Sequence, residues 1–258
     1  MATNYLKTLH YTLELSFQLA KAEFKLRNEG SYLGILWYIL NPVLTFTLLF
    51  LIFSDRLGGE IPHYAPYLLL GILIFNFFQS STIESAKSLT RDNHHLIKSI
   101  HFPKEALVLS IIIKNLISHC IEILIFFGVL VFLHLELLPI LYYIPLLFFI
   151  SLFTLGVSFF LATLSVFFAD MDNIWSFMVR LLWFGTPIFY SIADQIRLFY
   201  LNLFNPLYYF IATARDLILY QDTPATWLMV GVVGWGLASF IIGLLIFKLS
   251  NKKIAELL

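Results

Sequence analysis

Six apolar runs, each close to the length needed to cross a bilayer, set the possible folds of this chain more tightly than any motif. They lie at about 33–53, 64–81, 106–133, 141–168, 174–190 and 227–247. A membrane-spanning helix needs roughly 20 predominantly apolar residues. The second and fifth runs are short or interrupted, and the fifth contains Gly185 and Pro187. With 60% hydrophobic and only 12% charged residues, the chain departs from the roughly 25% charged content of globular domains. The expectation is an all-α polytopic membrane protein: one domain over residues 1–258, with six transmembrane helices.

Three further segments have their own patterns. Along residues 5–28, Leu6, Leu9, Leu13, Phe17, Ala20 and Phe24 recur at helical spacing opposite Lys7, Glu14, Gln18, Lys21, Lys25 and Asn28. A broad apolar face with a basic polar face predicts a helix lying in the membrane interface; packing on a soluble partner is the alternative. Residues 83–105 form a basic polar hairpin between two spans. Its Leu89, His94, Ile97, Ile100 and His101 can share one side of a short helix. Residues 191–222 are too polar and too broken by Asn205-Pro206 for one span, yet too aromatic for a free loop. They predict two short outer helices, either re-entrant or flat on the surface, because helical backbone satisfies its own polar groups.

Charge orients the bundle. Lys7, Lys21, Lys25, Arg27, Lys87 and Arg91 fall on one side, together with Lys98, Lys104, Arg180, Lys248, Lys252 and Lys253. The other side has Arg56, Arg197 and Arg215, and Lys114 falls inside a run. The positive-inside rule then puts both termini and the 83–105 hairpin in the cytosol. The N-terminus lacks the pattern of a secretory signal peptide. The one cysteine, Cys120, permits no intrachain disulfide. There is no GxxxxGK[ST] phosphate loop, no GxSxG and no HExxH. No metal cluster, catalytic residue or bound cofactor is expected, and the zero net charge does not point to nucleic acid.

Within the third run, Ser110, Lys114, Ser118 and Glu122 follow at steps of four, with Asn115 and His119 beside them. A charge at bilayer depth costs roughly 2.5–3.5 kcal/mol on insertion scales, so this stripe should face protein or water. One reading is a proton relay. The other has Lys114 snorkelling to the cytosolic interface and Glu122 pairing with another span. Aromatic clusters at Trp37, Tyr38, Phe46 and Phe50, and at Trp183, Phe184, Phe189 and Tyr190, offer faces on which sugar rings can stack.

The order of these pieces resembles the permease subunit of bacterial ABC exporters for cell-surface polysaccharides: O-antigen, capsule and teichoic acid. The resemblance rests on five motifs. They are Arg27-x-x-x-Ser31-x-Leu33-Gly34-x-Leu36-Trp37 continuing to Asn41-Pro42, and Asn93-x-x-Leu96-Ile97-Lys98 followed by Phe102-Pro103-Lys104-Glu105. The others are Phe168-Ala169-Asp170, Thr186-Pro187-Ile188-Phe189-Tyr190, and Asn205-Pro206-Leu207 followed by Arg215. Ala169 stands where that family usually has arginine, which removes any contact made by that side chain; Arg180 is a candidate substitute.

The resemblance implies a homodimer bound to two copies of a separate ATPase, which carries ATP and Mg2+. It implies a pore lined by the first and fifth spans, and a glycan on a polyprenyl diphosphate lipid as substrate, moved across the bacterial inner membrane. Under it, Asn93, Leu96, Ile97, Lys98, Phe102 and Pro103 couple to the ATPase. The helix breaks at Gly185, Pro187, Asn205 and Pro206 lie at a gate, and Lys25 and Arg27 guide the lipid headgroup among the membrane lipids. An exporter of a lipid or drug with the same fold, an intramembrane enzyme using Lys114, His119 and Glu122, and a proton-coupled carrier remain as alternatives.

Overall fold

The computed structural model describes residues 2–28, 34, 36–89, 103–192 and 195–257, except the side chains of 2–9, 27, 28, 252 and 254–257. The elements in order are α1 (Ala2–Asn28), α2 (Leu36–Leu57), α3 (Tyr64–Ser88) and α4 (Glu105–Phe132). A 3-10 turn (Leu138–Tyr142) then leads into α5 (Tyr143–Phe167), followed by α6 (Met171–Gly185), α7 (Ile196–Leu203) and α8 (Pro206–Arg215). A π turn (Asp216–Tyr220) and α9 (Thr226–Leu257) complete the chain. Among the described residues, five helical segments are long and apolar enough to cross a membrane: α2, α3, α4, the turn with α5, and α9.

The expected fifth span differs. Instead of a helix over 174–190, α6 has 15 residues and stops at Gly185. That is about 22 Å of helix, against a hydrocarbon core of about 30 Å. The cause is Pro187, which lacks an N–H and pushes the residue before it out of helical geometry. Thr186 is accordingly extended, at φ −85° and ψ 135°.

Helix α3 is the centre of the bundle. Leu68, Leu69, Leu70, Ile72, Leu73, Ile74 and Phe75 are consecutive apart from Gly71, and all are buried. A helix apolar all round must be surrounded, and α3 touches α2, α4, α5, α6 and α8. By contrast α2 and α6 are largely uncovered: Leu44, Leu48 and Leu51 on one, and Ile174, Phe177 and Leu181 on the other, are exposed.

Helix α1 packs on α4, and its buried residues are Thr12, Ser16 and Ala20, while Leu13 and Phe17 stay exposed. Small side chains, Ala20 of the expected stripe among them, therefore face the protein, while Phe24 of that stripe stacks on Tyr38 of α2 at 5.5 Å. The break between α7 and α8 follows local rules. The Asn205 side chain accepts a hydrogen bond from the Leu207 N–H at 3.1 Å, and Pro206 occupies the first helical position, where its missing N–H costs nothing.

Helices α5 and α9 approach backbone to backbone. A Cβ on Gly156 would lie 2.2 Å from the Ser239 carbonyl, and one on Gly243 would lie 2.0 Å from the Gly156 oxygen. The Ser239 hydroxyl donates to the Phe153 carbonyl at 3.0 Å. Small residues at a helix interface let packing and interhelical hydrogen bonds do what the hydrophobic effect cannot do in lipid. Gly156→Val is expected to destabilise the protein by about 3 kcal/mol or more, read as a lowered midpoint in detergent unfolding. Gly128→Val, where a Cβ would meet nothing within 4 Å, should leave that midpoint near wild type.

Candidate functional site

The segment after α6 has left helical geometry, so its carbonyls need partners from elsewhere. Each from Phe184 to Tyr190 has one. The Tyr190 hydroxyl donates to the Phe184 carbonyl at 2.9 Å and is 3.1 Å from that of Gly185. The Ile188 N–H donates to the Thr186 carbonyl at 2.7 Å. Arg215 donates through Nη1 to the Pro187 carbonyl at 2.7 Å and through Nη2 to that of Ile188 at 2.8 Å. The hydroxyls of Tyr64 and Tyr67 donate to the Phe189 and Tyr190 carbonyls at 3.0 and 2.8 Å.

Arg215 is therefore a cross-link rather than a surface charge. It is buried, and its guanidinium carbon lies 3.3 Å from the centre of the Tyr67 ring, a cation–π contact that partly replaces lost hydration. Nη2 also donates to the Tyr67 carbonyl at 3.1 Å. Gly71 makes room: a Cβ there would come within 2.7 Å of Nη2. The two expected gate elements are also joined, because Asn205 Nδ2 donates to Thr186 Oγ1 at 2.8 Å.

The aromatic side chains divide. Phe46 stacks on Phe50 at 5.5 Å between ring centres, and Phe50 on Tyr64 at 6.1 Å. Phe53 stacks on Phe189 at 5.0 Å, and Phe189 meets both Phe184 and Tyr190 edge-on. These rings form one band from α2 to the segment after α6. Trp183 instead points inward, edge-on to Phe75 at 4.9 Å. Trp37 and Tyr38 sit apart from the band, at a polar cavity between α2, α3 and α4, with Tyr38 stacked on Phe24 of α1 at 5.5 Å.

The polar stripe of α4 is a junction between helices. Lys114 Nζ is 2.9 Å from Glu23 of α1 and 2.8 Å from Glu84 of α3. Ser110 reaches Glu23 at 3.4 Å, and Asn115 donates to Glu84 at 3.2 Å. Lys114 does not snorkel; it sits between two carboxylates, which also removes it as a free nucleophile. Glu122 lies nearest its own helix, 3.4 Å from His119 Nδ1, and His119 Nε2 shares a 2.7 Å hydrogen bond with Tyr143 of α5.

Arg27's side chain and residues Asn93, Leu96, Ile97, Lys98 and Phe102 fall outside the described residues. Pro103 and Lys104 are half-buried at the start of α4, and burial lowers the Lys104 ammonium below the ordinary lysine value. Lys25 is exposed on α1, and Ala169 lies in the exposed turn between α5 and α6. Arg180 is on α6 itself, its Nε donating to the Ser176 carbonyl at 3.3 Å. Neither the acids that hold Lys114 nor the role of Arg215 was found from sequence. An intramembrane lysine without an obvious partner was the usable signal for Glu84 and Glu23.

Two outcomes follow. Arg215→Met leaves the Pro187 and Ile188 carbonyls without their donor, each costing about 1–3 kcal/mol when buried. It should sharply raise amide exchange over 186–190, with Arg215→Lys intermediate because the planar fork is lost. Lys114→Met removes the cation from two partly exposed carboxylates that keep Ser110 and Asn115 as donors and should cost about 1–3 kcal/mol. Adding Glu23→Gln and Glu84→Gln should recover most of that in the same unfolding assay.

Comparison with known proteins agrees with this architecture. Two proteins of Klebsiella pneumoniae, each named O-antigen export system permease protein RfbA, are 29% and 28% identical to the chain over 257 and 258 residues, with 97% of both chains covered in each case. A Myxococcus xanthus protein of the same name is 27% identical over 216 residues, covering 80% of each chain. Residues 14–219 match the ABC-2 type transporter family. With that match running from α1 into the π turn, and with five helices, α3 among them, long and apolar enough to cross a membrane, the chain belongs to the ABC-2 type transporter family and is a multi-pass membrane protein.

Proposed function

We propose that this chain is the membrane subunit of an ATP-driven exporter that moves a cell-surface polysaccharide out of the cytosol across a bacterial inner membrane. The observation that carries the reading is the end-to-end match, 97% of both chains, to permeases named for O-antigen export. Energy comes from a separate ATPase, since the sequence has no phosphate loop. The substrate is a glycan held on a polyprenyl diphosphate lipid, because a hydroxylated polymer needs an apolar anchor to be presented at the membrane.

The exposed faces of α2 and α6 support a homodimer whose conduit runs between them. Leu44, Leu48 and Leu51 of α2 and Phe177, Leu181 and Phe184 of α6 lack cover within one chain, and the aromatic band opens beside them. In this reading α6 crosses the membrane with the extended segment 186–190 completing its reach, and α7 and α8 dip into the outer leaflet. Both termini and the 83–105 hairpin lie in the cytosol, α1 rests in the interface, and Lys25 with Arg27 steers the diphosphate headgroup. Two ATPase copies dock on the hairpin through Leu96, Ile97 and Phe102.

Deleting this chain should abolish surface polysaccharide while the lipid-linked polymer accumulates inside; unchanged surface polymer would refute the reading. Leu96→Asp with Ile97→Asp should eliminate ATPase copurification with no loss of folded permease.

A further inference from the structure

The cavity between α2, α3 and α4 is more polar than its depth in the bundle requires. Asn41 of α2, Asn76 and Gln79 of α3, and Asn115, His119 and Glu122 of α4 converge on it, and Trp37 stands half-exposed at its mouth. Polar side chains within spans are costly unless partnered or serving a ligand. The space is about 100 Å³, smaller than the roughly 300–1,000 Å³ of drug-sized ligand pockets, so it admits no more than a single small unit.

Two polar atoms at the cavity are unsatisfied. His119, 1% exposed, makes no hydrogen bond through Nδ1, and Glu122 Oε2, also buried, makes none. They face each other at 3.4 Å without hydrogen-bond geometry. The His119–Tyr143 bond fixes the imidazole ring, so Nδ1 cannot turn away. Among the described residues no lysine or arginine pairs with Glu122, because Lys114 is held by Glu23 and Glu84. The cavity thus presents a carboxylate that makes no hydrogen bond through Oε2 and has only His119 close to that oxygen, together with several amides and an indole face.

We propose that this cavity is a binding subsite for one neutral, polyhydroxylated sugar ring, with Glu122 accepting hydrogen bonds from adjacent hydroxyls and Trp37 stacking on the C–H face. The carboxylate gains the donors it lacks, and bonds to a charged acceptor are about twice as strong as neutral ones. Asn41, Asn76 and Gln79 both donate and accept, which suits hydroxyl groups. Among the described residues no group of three His, Cys, Asp or Glu side chains is placed to hold a metal ion. The subsite rests on the polysaccharide reading and deepens it: the permease holds a sugar unit beside the conduit, before the aromatic band.

The test uses the permease–ATPase complex in nanodiscs, titrated with free D-mannose, D-galactose and N-acetyl-D-glucosamine, with ethylene glycol as control. Trp37 fluorescence is read as the difference from Trp37→Phe. At least one sugar should give saturable quenching that ethylene glycol does not. Glu122→Gln, checked for an unchanged unfolding midpoint, should raise the half-saturation about tenfold or more. Asn41→Ala, at the exposed mouth, gives a second variant with little risk to folding and should weaken binding by a smaller factor. No saturable change with any sugar, or wild-type binding by both variants, overturns the proposal. A permease-deletion strain separates this from failure of the underlying reading. If wild type restores surface polymer while the sugar titrations are flat, only the subsite is wrong; if wild type does not restore it, the polysaccharide reading itself falls.

Discussion

A backbone that leaves helical geometry inside a membrane protein must find a donor for every carbonyl it frees, and the rest of this bundle is arranged around that need. Pro187 ends α6, and seven successive carbonyls then draw on Tyr190, Ile188, Arg215, Tyr64 and Tyr67. Water could in principle serve such groups, but here protein does. That choice fixes α3, α8 and the segment after α6 relative to one another. The burial of Arg215 without a bonded carboxylate among the described residues is tolerable because four of its contacts, three carbonyls and the Tyr67 ring, are strong electrostatic acceptors.

A second junction does the same work near the other end of α3 and α4. Glu23, Glu84 and Lys114 tie α1 to two candidate spans, so a displacement of α1 must either move α3 and α4 with it or break the ion pair to Glu23. Between the two junctions lies the polar cavity, and α2 and α6 flank the assembly with uncovered apolar faces. Two helices with uncovered faces can move without disturbing a core held at both ends by such junctions.

Local rules made much of the fold legible. The 3.6-residue period located α1 at 5–28 against the observed Ala2–Asn28, and apolar length located α4 almost to the residue. Proline chemistry marked both helix breaks. Pairings between distant parts of the chain were not legible. Arg215 was counted among outer-side charges, yet its partners lie 27, 28 and 148 residues away. Nothing local to Lys114 marks Glu23, 91 residues before it, so neither the relay nor the snorkelling reading anticipates the ion pair. Along α1, Leu13 and Phe17 stay exposed, since large apolar side chains in lipid need no protein cover, and the small residues Thr12, Ser16 and Ala20 are buried. The resemblance to polysaccharide exporters located the motifs in order, but the residues that join them were found only in three dimensions.

Reconstitution tests the central claim most directly. The permease and its ATPase, assembled in proteoliposomes with lipid-linked glycan on the ATPase side, are supplied with ATP, and glycan reaching the opposite face is measured with a membrane-impermeant lectin. Glycan should appear only when permease, ATPase and hydrolysable ATP are all present. Glycan crossing without ATP hydrolysis, or ATP hydrolysis that moves lipid but never glycan, would contradict that claim.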